Sequence, residues 1–361
     1  MATPDLVELD AIKRDFEFVG RFVGSAQAGA TLLSVVGYFC MFPFLSLFVH
    51  ESEAKLTPRV PQLSGLMSAS AKDVVARSRH SLKLFDDTAR GIAGQVAYFR
   101  DQIESAHRTR FLRPIPWPWA KDLGIYIYDG LPVSTTHVVT FVIGLQPRRI
   151  VARSAANEVR SIAEEYGRYF AVLGVTLDLQ ARSFLSSMDA SRLRHEDHRS
   201  SRYYRTLFNG TGTPDINALL NVFRVMATFA SRLLSLDTSV ESWQTIFKIR
   251  FLTLYHVLSS LSRLRGTRSN YLTPKSMAYL HSILDTSDAR HLMSPAIRPF
   301  RNTLMHYGLD NRVPSSSLSL TTPLYGLVPI CLPGESHTTL DAKLTRQLDL
   351  TTESLNQWAV S

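Results

Sequence analysis

The longest uncharged stretch of the chain, residues 22–49, restricts the fold more than any other segment. It contains no Asp, Glu, Lys or Arg, and an apolar segment of this length has to be buried in protein or in lipid. Residues 31–49 alone are long enough to span a bilayer as a helix. Gly24, Gly29 and Pro43 interrupt the run, which favours a pair of helices buried in a protein core.

A membrane-spanning interpretation stays open beside the buried one. Basic residues precede the run between positions 13 and 21, whereas Glu51 and Glu53 follow it. That asymmetry would keep the N-terminus in the cytoplasm. The start of the chain lacks the cationic residues and short apolar segment of a signal peptide. We therefore expect a cytoplasmic protein, with membrane association through residues 25–49 as the alternative.

The charge balance of the chain indicates an anionic partner. Over 361 residues the formal net charge is +9, the pI is about 9.6, and Arg outnumbers Lys several-fold. Arg binds phosphate through a planar fork and stacks on bases, so the balance favours an anionic partner such as nucleic acid, with a solvated basic surface as the alternative. Two cysteines, Cys40 and Cys331, are too few for a disulfide framework or a Cys-rich zinc site. We expect no metal and no other cofactor.

Apolar residues recur at helical spacing over most of the chain, which predicts a mostly α protein. Three segments follow from the pattern. The first is an N-terminal helical region, residues 1–110, and the second is a mixed segment with a long helix, residues 111–205. The third, residues 213–361, is a helical bundle that includes a C-terminal helix.

The mixed segment departs from the helical pattern at two places. Residues 108–119 are rich in Pro, Arg and Trp, and they are typical of a linker or of a surface that stacks on bases. Residues 124–144 are rich in β-branched and aromatic side chains around Asp129 and Gly130. This second pattern predicts a short β segment with one or two strands around a turn.

The densest basic stretch runs from Arg192 to Arg205 and interleaves Arg with Tyr. The pattern suits phosphate contacts combined with stacking on unpaired bases, and it suits a solvated loop as well. The His and acidic residues at 195–198 make a poor metal site, because adjacent residues rarely converge on one ion. The residues that we assign to RNA binding are Arg192, Arg194, Arg199, Arg202, Tyr203 and Arg205.

Four helices are predicted after a turn-rich hinge near residues 205–213. Hydroxyl caps and first-turn prolines mark most of their starts, and Gly308 stands where the fourth would end. Four helices within this length suggest an antiparallel four-helix bundle, with a further helix at 338–360 packed against it. The predicted starts are Thr213-Pro214, Ser239, Thr273-Pro274 and Ser294-Pro295.

The fourth predicted helix carries the sequence R-N-T-L-M-H, from Arg301 to His306. Arg stabilises negative charge that develops on a phosphate, and His carries protons near neutral pH. Asn302 can bind the phosphate or hold the imidazole. Residues five apart on a helix lie about 140° apart around its axis, so one copy flanks a face without closing a site. A dimer would bring two Arg and two His together.

The segment from Arg301 to His306 resembles the Arg-(Asn/His/Lys)-x-x-x-His motif of the HEPN superfamily, within a predicted bundle that starts at residue 214. The resemblance implies a helical bundle that dimerises into a metal-independent RNA endonuclease of bacterial defence, CRISPR-associated or toxin–antitoxin systems. It implies catalytic roles for Arg301, Asn302 and His306. Tyr307 follows the His directly and departs from the His-x-Tyr form of some toxin members, so it receives no role.

Two other functions stay open from the sequence. The C-terminal bundle is also compatible with a non-catalytic HEPN-like subunit that binds RNA or serves as a scaffold, and residues 25–49 with a membrane-anchored effector. For a nuclease we expect a single-stranded or loop substrate, including tRNA, since in-line attack by the 2′-hydroxyl needs a flexible backbone. A homodimer or a larger complex is expected in either RNA-related case.

Overall fold

A computed structural model of the protein describes residues 3–29, 32–83, 91–108, 121–144, 153–174, 182–208, 213–267 and 272–361. The Pro-rich stretch after residue 108 and the predicted hinge at 209–212 lie outside these ranges. The predictions for those two stretches therefore remain untested predictions.

Helices dominate the described residues, which confirms a mostly α protein. A π-helical turn, Phe229–Leu233, and a 3₁₀ turn, Leu234–Leu236, extend the eighth helix. The α-helices are α1 (Pro4–Ala28), α2 (Leu32–Leu56), α3 (Ala69–Lys83), α4 (Ile92–Arg108), α5 (Thr136–Ile143), α6 (Arg153–Val172), α7 (Ser200–Thr206), α8 (Pro214–Thr228), α9 (Trp243–Thr267), α10 (Pro274–Leu284), α11 (Ser287–Leu292), α12 (Arg298–His306), α13 (Leu327–Cys331) and α14 (His337–Val360).

The predicted β segment is right in its first half and wrong in its second. Strands β1 (Leu123–Tyr128) and β2 (Leu131–Thr135) pair antiparallel around the Asp129-Gly130 turn. The apolar run that follows β2 forms helix α5 instead of a strand. The hydroxyl of Thr135 accepts a hydrogen bond from the backbone N–H of Val138 at 3.2 Å and so caps a helix there. The β-branched residues of α5 pack equally well in a helix that is mostly buried.

Most of the basic stretch forms a strand and a helix and not a loop, although most side chains of the strand are exposed to solvent. Strand β3 (Leu193–His198) pairs antiparallel with β1, which gives the sheet order β2-β1-β3. Helix α7 follows directly. The second edge of β1 offers backbone donors and acceptors that need partners. Pairing therefore imposes a strand on residues whose side chains alone favour none, and their charges suit an edge strand.

The uncharged run forms the end of α1 and most of α2, and much of it is buried. Apolar residues of α2 lie in the core against α1, α3 and α5. Its buried hydroxyls are satisfied inside the protein, since Ser46 and Ser52 share 2.7 Å hydrogen bonds with Tyr166 and Tyr169. Within the described ranges, α2 and the segment Pro214–Leu236 are long and apolar enough to cross a membrane. Both are mostly buried, a property that core helices of soluble proteins share.

Four of the longer helices pack together in the C-terminal half: α8, α9, α10 and α14. The fourth member of this group is the C-terminal helix α14, and the prediction that α12 takes this position is wrong. Helix α12 is a nine-residue helix that contacts α9, α2 and α13. The longer α14 covers more apolar surface, with Leu340, Leu344, Leu348 and Trp358 fully buried. Because burial of a larger apolar surface contributes more free energy, α14 and not the short α12 completes the group.

A buried ion pair joins the N-terminal helices to this group. Lys248 of α9 lies 2.6 Å from a carboxylate oxygen of Asp15 in α1, and both side chains are almost fully buried. Thr245 and Tyr307 donate hydroxyl hydrogen bonds to the same carboxylate at 2.7 and 2.6 Å. Burial lowers the pKa of Lys248 and Asp15 opposes that shift. The paired carboxylate thus has three donors, as a buried charge requires.

Lys248→Met should lower the free energy of unfolding by about 3–5 kcal/mol, because it leaves the charge of Asp15 buried without its cation. The double variant Asp15→Asn with Lys248→Met should lose less, since it leaves no unpaired carboxylate at position 15. Urea unfolding monitored by circular dichroism measures both. Arg160→Ala, which removes an exposed ion pair with Glu164, is the control and should cost less than about 1 kcal/mol. Equal losses for Lys248→Met and Arg160→Ala would contradict the assignment.

Candidate functional site

The residue that ends helix α12 is Tyr307, in a strained backbone conformation, and not the predicted Gly308. Tyr307 has a left-handed backbone with φ of 57°, which is rare for a bulky side chain. The buried hydroxyl bond to Asp15 holds it there, and Gly308 donates to the carbonyl of His306 at 2.6 Å. The sequence motif assigns no role to Tyr307, and the ring of this residue is part of the core.

All three motif side chains lie at the surface of α12, while the residues between them are buried. Arg301, Asn302 and His306 are each partly exposed, and residues 303–305 are buried. The helix is therefore anchored through Thr303, Leu304 and Met305 and presents the motif residues along its edges.

Arg301 is positioned by an aromatic ring and by its neighbour. Its guanidinium carbon lies 5.2 Å from the ring centroid of Tyr255 in α9, within the range of a cation–π contact. One terminal nitrogen also donates to the side-chain carbonyl of Asn302 at 3.0 Å. Burial and then the positive charge of Arg301 lower the pKa of the nearby His256 to about 3, so His256 is neutral at pH 7.

Asn302 links Arg301 to an ion pair in the loop after α12. Its amide donates to a carboxylate oxygen of Asp310 at 3.0 Å. Arg312 binds both oxygens of the same carboxylate at 2.7 and 2.8 Å. These bonds hold the pKa of Asp310 well below its usual range, and the bond from Arg312 has the largest effect. The amide of Asn302 is thereby fixed in one orientation, with its carbonyl towards Arg301.

His306 is held by a carboxylate from the N-terminal part of the chain. Its Nδ1 lies 3.1 Å from a carboxylate oxygen of Glu51 in α2. The His306 side chain is 34% exposed and that of Glu51 only 8%, so the imidazole reaches solvent while its partner does not. A surface imidazole oriented by a buried carboxylate is an arrangement that supports proton transfer.

The two ends of the motif contact different elements. Arg301 packs on α9 and His306 bonds to α2, in agreement with the angle of about 140° that separates them on the helix. One copy therefore presents an Arg–Asn pair on one side of α12 and an imidazole on another. Within the described ranges, no group of three or more His, Cys, Asp or Glu side chains is arranged to hold a metal ion.

The predicted RNA-binding arginines lie on β3 and around α7, and their environments differ. Arg192 pairs with Asp129 and lies over the ring of Tyr128, so its charge is partly neutralised. Arg194, Arg202 and Arg205 are exposed, and in the part of the chain that the structure describes no ion pair joins them to an acid. Arg199, at the start of α7, is half-buried.

Tyr203 is less available for base stacking than its sequence context predicts. It is half-buried, and its ring lies 5.3 Å from His198 and 5.5 Å from Tyr204. Burial raises the pKa of its hydroxyl. The acidic Glu196 and Asp197 also lie on β3 between the arginines. The arginine surface is thus a set of exposed cations rather than an aromatic stacking platform.

Sequence reasoning missed the residues that hold the motif in place. Glu51 marks only the charged end of an apolar run, and Tyr255 and His256 belong to the apolar face of α9. A local signal exists for Asp310 alone, which precedes Arg312 by two residues. Contacts between residues 255 positions apart, such as that of Glu51 with His306, leave no spacing pattern in a single sequence.

No protein-family model, no curated protein and no solved structure matches this chain.

Stability should fall as the pH drops from about 6.5 towards 4. An unfolded histidine gains its proton near pH 6.5, whereas burial lowers the pKa of His137 to about 4 and that of His256 to about 3. The unfolded state binds more protons in this window, so acid favours unfolding by up to about 1.4 kcal/mol per pH unit for each histidine.

His256→Gln should remove about half of that pH dependence, because it leaves one of the two buried histidines. Urea unfolding at a series of pH values measures the slope of stability against pH. His281→Gln, at an exposed position on α10, is the matched control. The same slope for both variants would show that His256 is not a buried neutral imidazole.

Proposed function

We propose that this protein is a metal-independent RNA endonuclease of HEPN type that acts as a homodimer. One observation carries the proposal. Arg301, Asn302 and His306 all reach the surface of a helix whose intervening residues are buried, and each is held by a partner of its own. Side chains that are already ordered lose less conformational entropy when they bind a phosphate.

The reaction uses the 2′-hydroxyl of the RNA as nucleophile and the two histidines of the dimer for proton transfer. The 2′-oxygen attacks the adjacent phosphorus and forms the P–O2′ bond while the P–O5′ bond breaks. One neutral His306 accepts the proton of the 2′-hydroxyl, and the other, protonated, donates a proton to the leaving 5′-oxygen. Arg301 stabilises the charge on the phosphate oxygens. The products are a 2′,3′-cyclic phosphate and a 5′-hydroxyl.

Dimerisation is part of the proposal because one copy is incomplete. Arg301 and His306 lie on different sides of α12, and each faces a different neighbouring helix. Two copies of α12 meeting across a two-fold axis would place the arginine edge of one beside the histidine edge of the other. In the same proposal the HEPN-type bundle consists of α8, α9, α10 and α14, with α12 beside α9 and α2.

The biological setting follows from the resemblance of the motif. An endonuclease of this type would serve as an effector in bacterial defence or in a toxin–antitoxin system. The expected substrate is RNA that is single-stranded or looped, including tRNA, since the 2′-oxygen has to align with the departing 5′-oxygen.

A second candidate is an RNA-binding subunit without catalysis. Exposed Arg194, Arg202 and Arg205 favour it, because cations that are not paired with an acid are available to phosphate. Cleavage separates the two candidates, whereas binding is common to both.

The purified protein should cleave single-stranded RNA in EDTA, and Arg301→Ala and His306→Ala should each reduce the rate by about 100-fold or more. Gel analysis with end-labelled RNA identifies the cyclic phosphate and the 5′-hydroxyl. Arg298→Ala removes an exposed arginine one turn before Arg301 and is the matched control. Light scattering reports whether each variant keeps the oligomeric state of the wild type.

Intact RNA after incubation with a folded, dimeric wild type would overturn the nuclease. Loss of cleavage in Arg298→Ala to the same degree as in Arg301→Ala would remove the assignment of Arg301 in particular. Cleavage that disappears in EDTA and returns with a divalent cation would contradict the metal-independent mechanism.

RNA binding should weaken and lose salt dependence when Arg194, Arg202 and Arg205 are all changed to Gln. Three phosphate contacts to a single strand correspond to a decrease of about 2 in the slope of log affinity against log salt. Fluorescence anisotropy with labelled RNA between low and physiological salt measures this slope. A triple variant at Arg160, Arg290 and Arg346, exposed arginines that lie elsewhere, is the control for net charge. Equal effects of the two triple variants would show that binding follows net charge and not this surface.

A further inference from the structure

We infer that Glu51 is a positioning residue for His306 and that it selects which imidazole nitrogen faces the substrate. The inference rests on the proposed function for its catalytic consequence, whereas its structural part stands alone. Nδ1 of His306 lies 3.1 Å from a carboxylate oxygen of Glu51. Glu51 belongs to α2, outside the bundle, so the site includes a residue from the N-terminal region.

The contact determines the position of the imidazole proton. An ionised carboxylate has only acceptor oxygens, so a hydrogen bond between it and Nδ1 requires the proton on Nδ1. Nε2 is then the nitrogen that gains and loses the catalytic proton. Free imidazole exchanges between two tautomers, and a fixed acceptor on one nitrogen removes that choice.

One buried cation, Lys248, interacts electrostatically with Glu51. The same lysine is paired with Asp15. Protonation of His306 places a second cation beside Glu51. Lys55, one turn further along α2, is 2.7 Å from Glu8 and is already paired.

A positioning role explains why the carboxylate of Glu51 is buried although its burial costs free energy. A buried Glu without a hydrogen-bonded partner is unfavourable, and a structural role alone is met equally well by an apolar residue of similar size. His306 is partly exposed at the same point. A carboxylate that faces the protein and an imidazole that faces solvent form the orienting pair that general acid–base catalysis uses.

Glu51→Gln tests the inference, because glutamine keeps the size of the side chain and both accepts and donates hydrogen bonds. The first measurement is long-range ¹H–¹⁵N NMR of protein labelled at histidine, with His306→Ala to assign the signals. In the wild type, Nδ1 of neutral His306 should carry the proton and Nε2 should show the shift of an unprotonated nitrogen. In Glu51→Gln the Nε2–H tautomer should become the major form.

The matched control is Glu53→Gln, two residues away on the same helix, which pairs with Lys72 at 2.9 Å. It should leave the tautomer of His306 unchanged. The inference is wrong if His306 shows the same tautomer in the wild type, in Glu51→Gln and in Glu53→Gln. It is also wrong if Nε2 and not Nδ1 is protonated in the wild type.

RNA cleavage supplies the second measurement and separates the inference from the proposed function. Glu51→Gln should lower kcat by about tenfold or more with little change in KM, and should alter the pH profile of kcat. A wild type that does not cleave RNA removes the nuclease, and the NMR result still decides the role of Glu51. A cleaving wild type with an unchanged pH profile and kcat in Glu51→Gln refutes positioning.

Discussion

The buried ion pair between Asp15 and Lys248 is the interaction on which the arrangement of this protein depends. It lies where α1, α9 and the end of α12 meet, and its carboxylate also receives the hydroxyls of Thr245 and Tyr307. Buried charges tolerate little displacement, because each lost hydrogen bond exposes the full cost of desolvation. The pair therefore ties the positions of α1, α9 and the end of α12 to one another.

The candidate site inherits its geometry from that cluster. Tyr307 follows His306 directly, so the bond from its hydroxyl to Asp15 holds the backbone at the end of α12 in a left-handed conformation. The same turn directs His306 towards Glu51. Strain at one residue is maintained because the surrounding contacts determine it. Residues of α1, α2 and α9 thereby contribute to a site whose motif lies on a single short helix.

Local patterns predicted the helices well where one face is apolar and a proline marks the first turn. The sequence indicated α8 and α10 correctly, since Thr213-Pro214 and Thr273-Pro274 mark their first turns. It failed where pairing partners decide the outcome. Strand β3 exists because β1 has a free edge, and that edge is not visible in the residues of β3. After β2 the failure is local, because the capping hydroxyl of Thr135 directly precedes α5 while the β-branched residues that follow it favour a strand.

By itself, the sequence determined that the chain is mostly helical, that its uncharged run lies in an apolar environment, and that an Arg-Asn-x-x-x-His pattern occurs once. These properties depend on neighbours within one or two turns, for which periodicity is a sufficient signal. Only the tertiary structure decided that α14 and not α12 completes the helical group. It also decided that α2 supplies the carboxylate at His306 and that Asp15 meets Lys248. Those contacts join residues more than 200 positions apart, and no local pattern records which distant residues meet.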